Sequence, residues 1–137
     1  MTVVLDTNVV IQALNRKHRF AVILDAWYAG RFYWAVSTDI LFEYREVIVR
    51  ISGTPRWKSL ERLIELAAAH SNNVEMVSPS FFFRTISADR DDDKFADCAI
   101  SANADFIVTS GLPISANWRE VAIVRNRLAL RSSSSGY

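Results

Sequence analysis

Short apolar runs alternate along this chain with longer stretches in which apolar residues return every three or four positions. The runs at residues 2–5 (Thr2-Val-Val-Leu5), 32–36 (Phe-Tyr-Trp-Ala-Val), 74–77 (Val-Glu-Met-Val) and 106–108 (Phe-Ile-Val) read as strands, and 121–124 as a fifth. β-branched runs without polar alternation suit strands covered on both faces. Between them, helical periodicity predicts helices over about residues 8–15 and 20–28, the second ended by Gly30. A longer helix over residues 38–51 carries Ile40, Tyr44, Val47 and Ile51 on one face, with Ser37 as its cap. Gly53 and Pro55 then break the chain, and residues 56–70 present Leu60, Leu63, Ile64 and Ala67 at helical spacing before a stop near Asn72-Asn73. A last helix is expected over residues 93–103. Strands alternating with helices predict an α/β fold, a parallel sheet of four to five strands with right-handed crossovers placing helices on both faces.

With 137 residues, half of them hydrophobic, the chain is long enough for one substantial core, and residues 1–131 read as a single domain followed by a serine-rich tail at 132–137. The one cysteine, Cys98, forms no internal disulfide and, between Ala96, Ala99 and Ile100, reads as a small packed residue. No apolar run reaches the roughly 18 residues of a membrane span, and no basic region precedes Val3-Val4-Leu5 as in a signal peptide, so a cytoplasmic location is expected. The formal charge of +1 carries no strong nucleic-acid footprint. Local basic groups at Arg16-Lys17-His18-Arg19, at Arg56, Lys58 and Arg62, and at Arg119, Arg125, Arg127 and Arg131 are candidates for phosphate contacts, although most of them read as solvated surface. His18 and His70 lie outside every acidic block and read as loop or helix-end residues.

The chemistry is carried by four carboxylates in three separated places. Asp6 follows the first strand, at the carboxyl end where open α/β sheets place ligands. The competing reading is helix capping, for which Asp6, Thr7 and Asn8 are all suited. Glu43, at roughly 100° per residue, lies about 60° from Ile40 and about 40° from Val47, so it borders the apolar face while Glu46 turns to solvent. An ion pair with Arg50 is its structural alternative. In Asp89-Arg-Asp-Asp-Asp-Lys-Phe-Ala-Asp97, Asp91 and Asp92 suit the positive end of a helix. Asp93 and Asp97 instead stack four apart on one face with Ala96 and Ile100 to the same side, a repulsion of about 0.2–0.5 kcal/mol in an isolated helix that a cation would reverse. Carboxylates without Cys or His support point to a hard cation, Mg²⁺ or Mn²⁺.

These blocks, Leu5-Asp6-Thr7-Asn8, Ile40-Leu-Phe-Glu43-Tyr-Arg-Glu-Val47, and Asp92-Asp93-Lys-Phe-Ala-Asp97 followed by Ala104-Asp-Phe-Ile-Val-Thr109, resemble a PIN domain in order and spacing over residues 1–109. The branch they are most similar to comprises VapC-type toxin components of toxin–antitoxin systems. The resemblance implies a three-layer α/β/α nuclease that hydrolyses RNA phosphodiesters with Mg²⁺ or Mn²⁺. It maps the catalytic acids onto Asp6, Glu43 and Asp93 and the metal ligands onto Asp6, Asp93 and Asp97, with Thr7, Asn8, Thr109 and Ser110 in support. An antitoxin protein and a second copy of the chain are the implied partners, and the consecutive Phe81-Phe82-Phe83 is a candidate contact for either. One departure stands out: the family's usual acid two residues after the strand-four threonine is Gly111 here, which leaves the number of metals open.

The leading expectation is therefore metal-assisted RNA hydrolysis. The alternative is a PIN-like protein that has lost catalysis with its fourth acid and serves as an RNA- or protein-binding module. A phosphotransferase using Asp6 as nucleophile fits less well, because the haloacid-dehalogenase pattern needs a second Asp where Asn8 stands. Four scattered glycines offer no phosphate-binding loop.

Overall fold

The computed structural model describes residues 1–78, 90–109 and 122–125, with the backbone alone for 90–93 and 122–125. In chain order the elements are β1 (Thr2–Leu5), α1 (Thr7–Leu14), α2 (Ala21–Tyr28), β2 (Tyr33–Val36), α3 (Thr38–Ser52), α4 (Thr54–Leu66) with a π-helical turn at Ala67–Ser71, β3 (Val74–Met76), α5 (Arg90–Ser101), β4 (Phe106–Thr109) and β5 (Ala122–Arg125). The sheet order is β3-β2-β1-β4-β5. The four strands β1 to β4 are parallel, as the alternating pattern predicts, with Val3 opposite Trp34 on one side and Phe106 on the other. The fifth strand runs antiparallel to β4, with Phe106 opposite Arg125, a frequent ending for an otherwise parallel sheet.

The strands read as apolar runs because they are covered on both faces: Val4, Leu5, Trp34, Ala35 and Val36 are all fully buried. Trp27 of α2 meets Trp34 edge to face at 5.1 Å, and its backbone and indole are clasped by Asn73, which donates from Nδ2 to the Trp27 carbonyl at 2.6 Å and accepts from Nε1 on its own carbonyl at 3.1 Å. Trp27 and Phe32 are core residues as expected, whereas Tyr28 and Tyr33 face solvent. The Phe81–Phe83 run lies outside the described residues.

Two helices differ from the sequence reading. In α3 the buried seam is Ile40, Tyr44 and Ile48, while Val47 is only partly covered and Ile51 is exposed. Steps of three and of four both keep an apolar stripe, and only packing chooses between them. Pro55 does not break the chain but sits in the first turn of α4, where its missing N–H costs nothing. Gly53 alone makes the corner, closing α3 at φ 91° and opening α4. Ser37 caps α3 as expected, its hydroxyl accepting from the Ile40 N–H at 3.3 Å.

Candidate active site

The connections from β1 to β2 to β3 build the sheet in one direction, and β4 is added on the other side of β1. The chain order reverses between β1 and β4, and a crevice opens at the carboxyl ends of strands flanking such a reversal. Asp6 stands there. Its backbone N–H donates to the Val108 carbonyl at 2.9 Å, and the Thr109 hydroxyl donates to Asp6 Oδ2 at 2.9 Å. Asp6 also occupies the backbone capping position of α1, but its side chain makes no capping hydrogen bond. The carboxylate is thus turned away from the helix and held over the crevice by a residue 103 positions later. This geometry excludes the capping reading.

Glu43 comes to the same place from α3. The Thr7 hydroxyl donates to Oε2, and Lys94 of α5 pairs with Oε1 at 2.9 Å. The expected alternative partner, Arg50, is not involved. The next residue, Tyr44, ties α3 to β1: its buried hydroxyl donates to the Leu5 carbonyl, one residue before Asp6. Burial above all, with the nearby Asp6 and Glu43 carboxylates adding to it, pushes the Tyr44 phenol well above its usual range. Tyr44 is therefore a fixed neutral donor within electrostatic reach of both acids.

From α5, Asp97 is brought inside, with 2% of its surface exposed beside fully buried Cys98. The face is narrower than the sequence suggests, because Ala96 is exposed and Ile100 only partly covered. The side chains of Asp91, Asp92 and Asp93, and Ser110 and Gly111 altogether, lie outside the described parts of the chain. Asn8 is exposed in the first turn of α1. Among the described residues no three acidic, imidazole or thiolate side chains converge closely enough to hold a metal ion. By type, the donors that do gather, two carboxylates flanked by two threonine hydroxyls, suit a hard cation.

Two features of the site escape sequence reasoning. Lys94 is one, although a cation near the positive end of a helix, directly after three aspartates, is an unfavourable placement that signals a partner elsewhere. The other is a separation of roles within the third motif. Asp105 lies at the opposite end of the sheet, where its Oδ2 accepts from the Thr2 N–H at 2.9 Å and its own N–H donates to the Thr2 carbonyl at 2.8 Å. It fastens β4 to β1 and takes no part in the crevice. Several basic groups are likewise occupied by the scaffold: Arg16 pairs with Asp25, Lys58 with Glu61, and Arg56 donates to the Leu14 carbonyl. His18 Nδ1 accepts from the Phe20 N–H at 3.0 Å, the loop role expected of it.

A parallel α/β sheet with oxygen donors from three elements at its switch point defines the class of protein. A family model described as PIN domain matches residues 2–111, and the chain belongs to the PIN-domain family. Among solved structures, the crystal structure of VapBC2 from Rickettsia felis, bound to a DNA fragment from their promoter, contains a chain of similar fold. The TM-score is 0.52, with 18% identity over 81% of this chain and 89% of that one. No curated protein sequence matches this chain significantly. Among the described residues no helix is long and apolar enough to cross a membrane.

Proposed function

We propose that this protein is a metal-dependent endoribonuclease and the toxin of a toxin–antitoxin pair. The observation that carries this reading is the Asp6 carboxylate, released from helix capping and held by Thr109 at the switch-point crevice beside Glu43. Family membership and the likeness to VapBC2, a toxin–antitoxin complex by name, support it. Asp6, Asp93 and Asp97 would hold Mg²⁺ or Mn²⁺, which when bound polarises a phosphate and lowers the pKa of its water. Thr109 fixes the Asp6 rotamer, and Thr7 fixes Glu43, so neither carboxylate loses side-chain freedom when substrate arrives. Glu43 would orient the attacking water. An antitoxin segment would suit the apolar cleft of about 650 Å³ between α1, α2 and α4, where Leu14, Tyr28 and Leu63 line a wall away from Asp6.

Calorimetric titration of Mn²⁺ into metal-free protein, followed by an RNA-cleavage screen, tests the reading. Saturable binding and cleavage that both Asp6→Asn and Asp93→Asn remove are the expected results. A specific observation favours a second reading, a binding module without catalysis: both oxygens of Glu43 are already engaged. RNA or partner binding with no Mn²⁺ uptake by the wild type would select it.

A further inference from the structure

Lys94 is placed where its chain neighbours do not explain it. It follows three aspartates near the start of α5, yet its ammonium reaches across to α3 and pairs with Glu43 Oε1 at 2.9 Å, spanning 51 positions of sequence. Only 25% of the Lys94 side chain and 21% of the Glu43 side chain are exposed, so this is a partly desolvated bridge between elements and not a solvated surface pair. The other oxygen of Glu43 is taken by the Thr7 hydroxyl, which leaves this carboxylate with its charge already balanced. Asp6, by contrast, is met in the described structure by a neutral hydroxyl and no cation. Among the described residues the two acids at the crevice are therefore unequal: Glu43 is paired with a cation of the chain itself, and Asp6 is held by a neutral hydroxyl. An ammonium is a compact cation with three donors, so with one on Glu43 it still presents two towards a polyanion entering the crevice.

We propose that Lys94 acts as a tethered cation in the position a second divalent ion would otherwise take beside Glu43, so that this site binds one divalent ion, on the Asp6 side of the crevice, and not two. The proposal rests on the metal-dependent reading above. It accords with Gly111 standing where the sequence resemblance leads one to expect a further acid: a site that carries its own positive charge needs one carboxylate fewer.

Mn²⁺ counting by electron paramagnetic resonance, with calorimetry, on wild type, Lys94→Gln and Lys94→Arg separates the possibilities. The wild type and Lys94→Arg should take one equivalent. Lys94→Gln, with Glu43 released, should take a second, and the double variant Glu43→Gln/Lys94→Gln should return to one. Two equivalents in the wild type, or one equivalent at unchanged affinity in Lys94→Gln, would overturn the proposal. A measurement that needs no Lys94 variant is amine labelling read by mass spectrometry. Lys94 should be protected in the wild type with and without saturating Mn²⁺ and become reactive in Glu43→Gln, whereas deprotection on adding Mn²⁺ would show the metal displacing it and refute the idea. Binding in the wild type that Asp6→Asn abolishes upholds the metal reading whatever Lys94 does, and no binding in any variant removes both.

Discussion

Cys98 shows how burial alone silences a reactive atom. It is fully enclosed beside Asp97, and burial, then the charge of Glu75, push its thiol from the ordinary 9.0 up to about 12. Between those values the unfolded chain has lost the proton and the folded chain still holds it. The associated stability is therefore complete below pH 9 and declines by up to about 1.4 kcal/mol per pH unit as pH rises towards 12. Alkaline melts of Cys98→Ala should be flatter over that window than those of the wild type, and a thiol reagent at neutral pH should label Cys98 only in denaturant. Among the acids, Asp6 was legible in the sequence because it ends an apolar strand, and Glu43 because it borders the apolar stripe of α3. What the sequence could not settle was whether Asp6 capped α1: the same residue type serves both roles, and the hydroxyl that decides between them belongs to Thr109, far along the chain. Lys94 was hidden for the same reason, since its partner is fixed by how α3 and α5 pack and not by any local spacing.

At the level of elements, the corner at Gly53 and the tie at Tyr44 set the direction of α3 and with it the placement of Glu43. Gly53 has φ 91°, a conformation side chains resist, although a methyl group there would meet nothing closer than Pro55 Cδ at 3.6 Å. Gly53→Ala should lower stability by about 1–2 kcal/mol through backbone strain alone, read as a shift of the urea midpoint without change of slope. Tyr44→Phe removes the hydroxyl that bonds the Leu5 carbonyl and should cost about 1–2 kcal/mol in the same measurement. Periodicity located nearly every helix and strand, and it misplaced only what depends on phase and punctuation: the lower seam of α3, and the role of Pro55, whose ring suits the first turn of a helix as well as it breaks an interior one.

For the molecule as a whole, the sheet divides its duties between its two ends. The carboxyl ends of β1 and β4 carry Asp6 and Thr109, and the opposite end carries the clasp between Asp105 and Thr2. Asp105→Ala should therefore reduce the melting temperature, by the loss of a charged hydrogen bond of about 1.5–3 kcal/mol, while Mn²⁺ stoichiometry measured on the folded variant stays that of the wild type. A substitution at Asp6 should do the reverse. The parallel α/β arrangement followed from alternation of element types, but the reversal of strand order at β1 is a property of the folded sheet that no local pattern encodes. That reversal also sets a clock. Asp6 and Thr109 leave a ribosome working at about 5–20 residues per second roughly 5–20 s apart, and until β4 is made the strand that supplies Asp6 lacks its neighbour on that side. A growing chain accordingly carries Asp6 for most of its synthesis without the hydroxyl that holds it, and the crevice is complete only after nearly all of the described fold has been delivered.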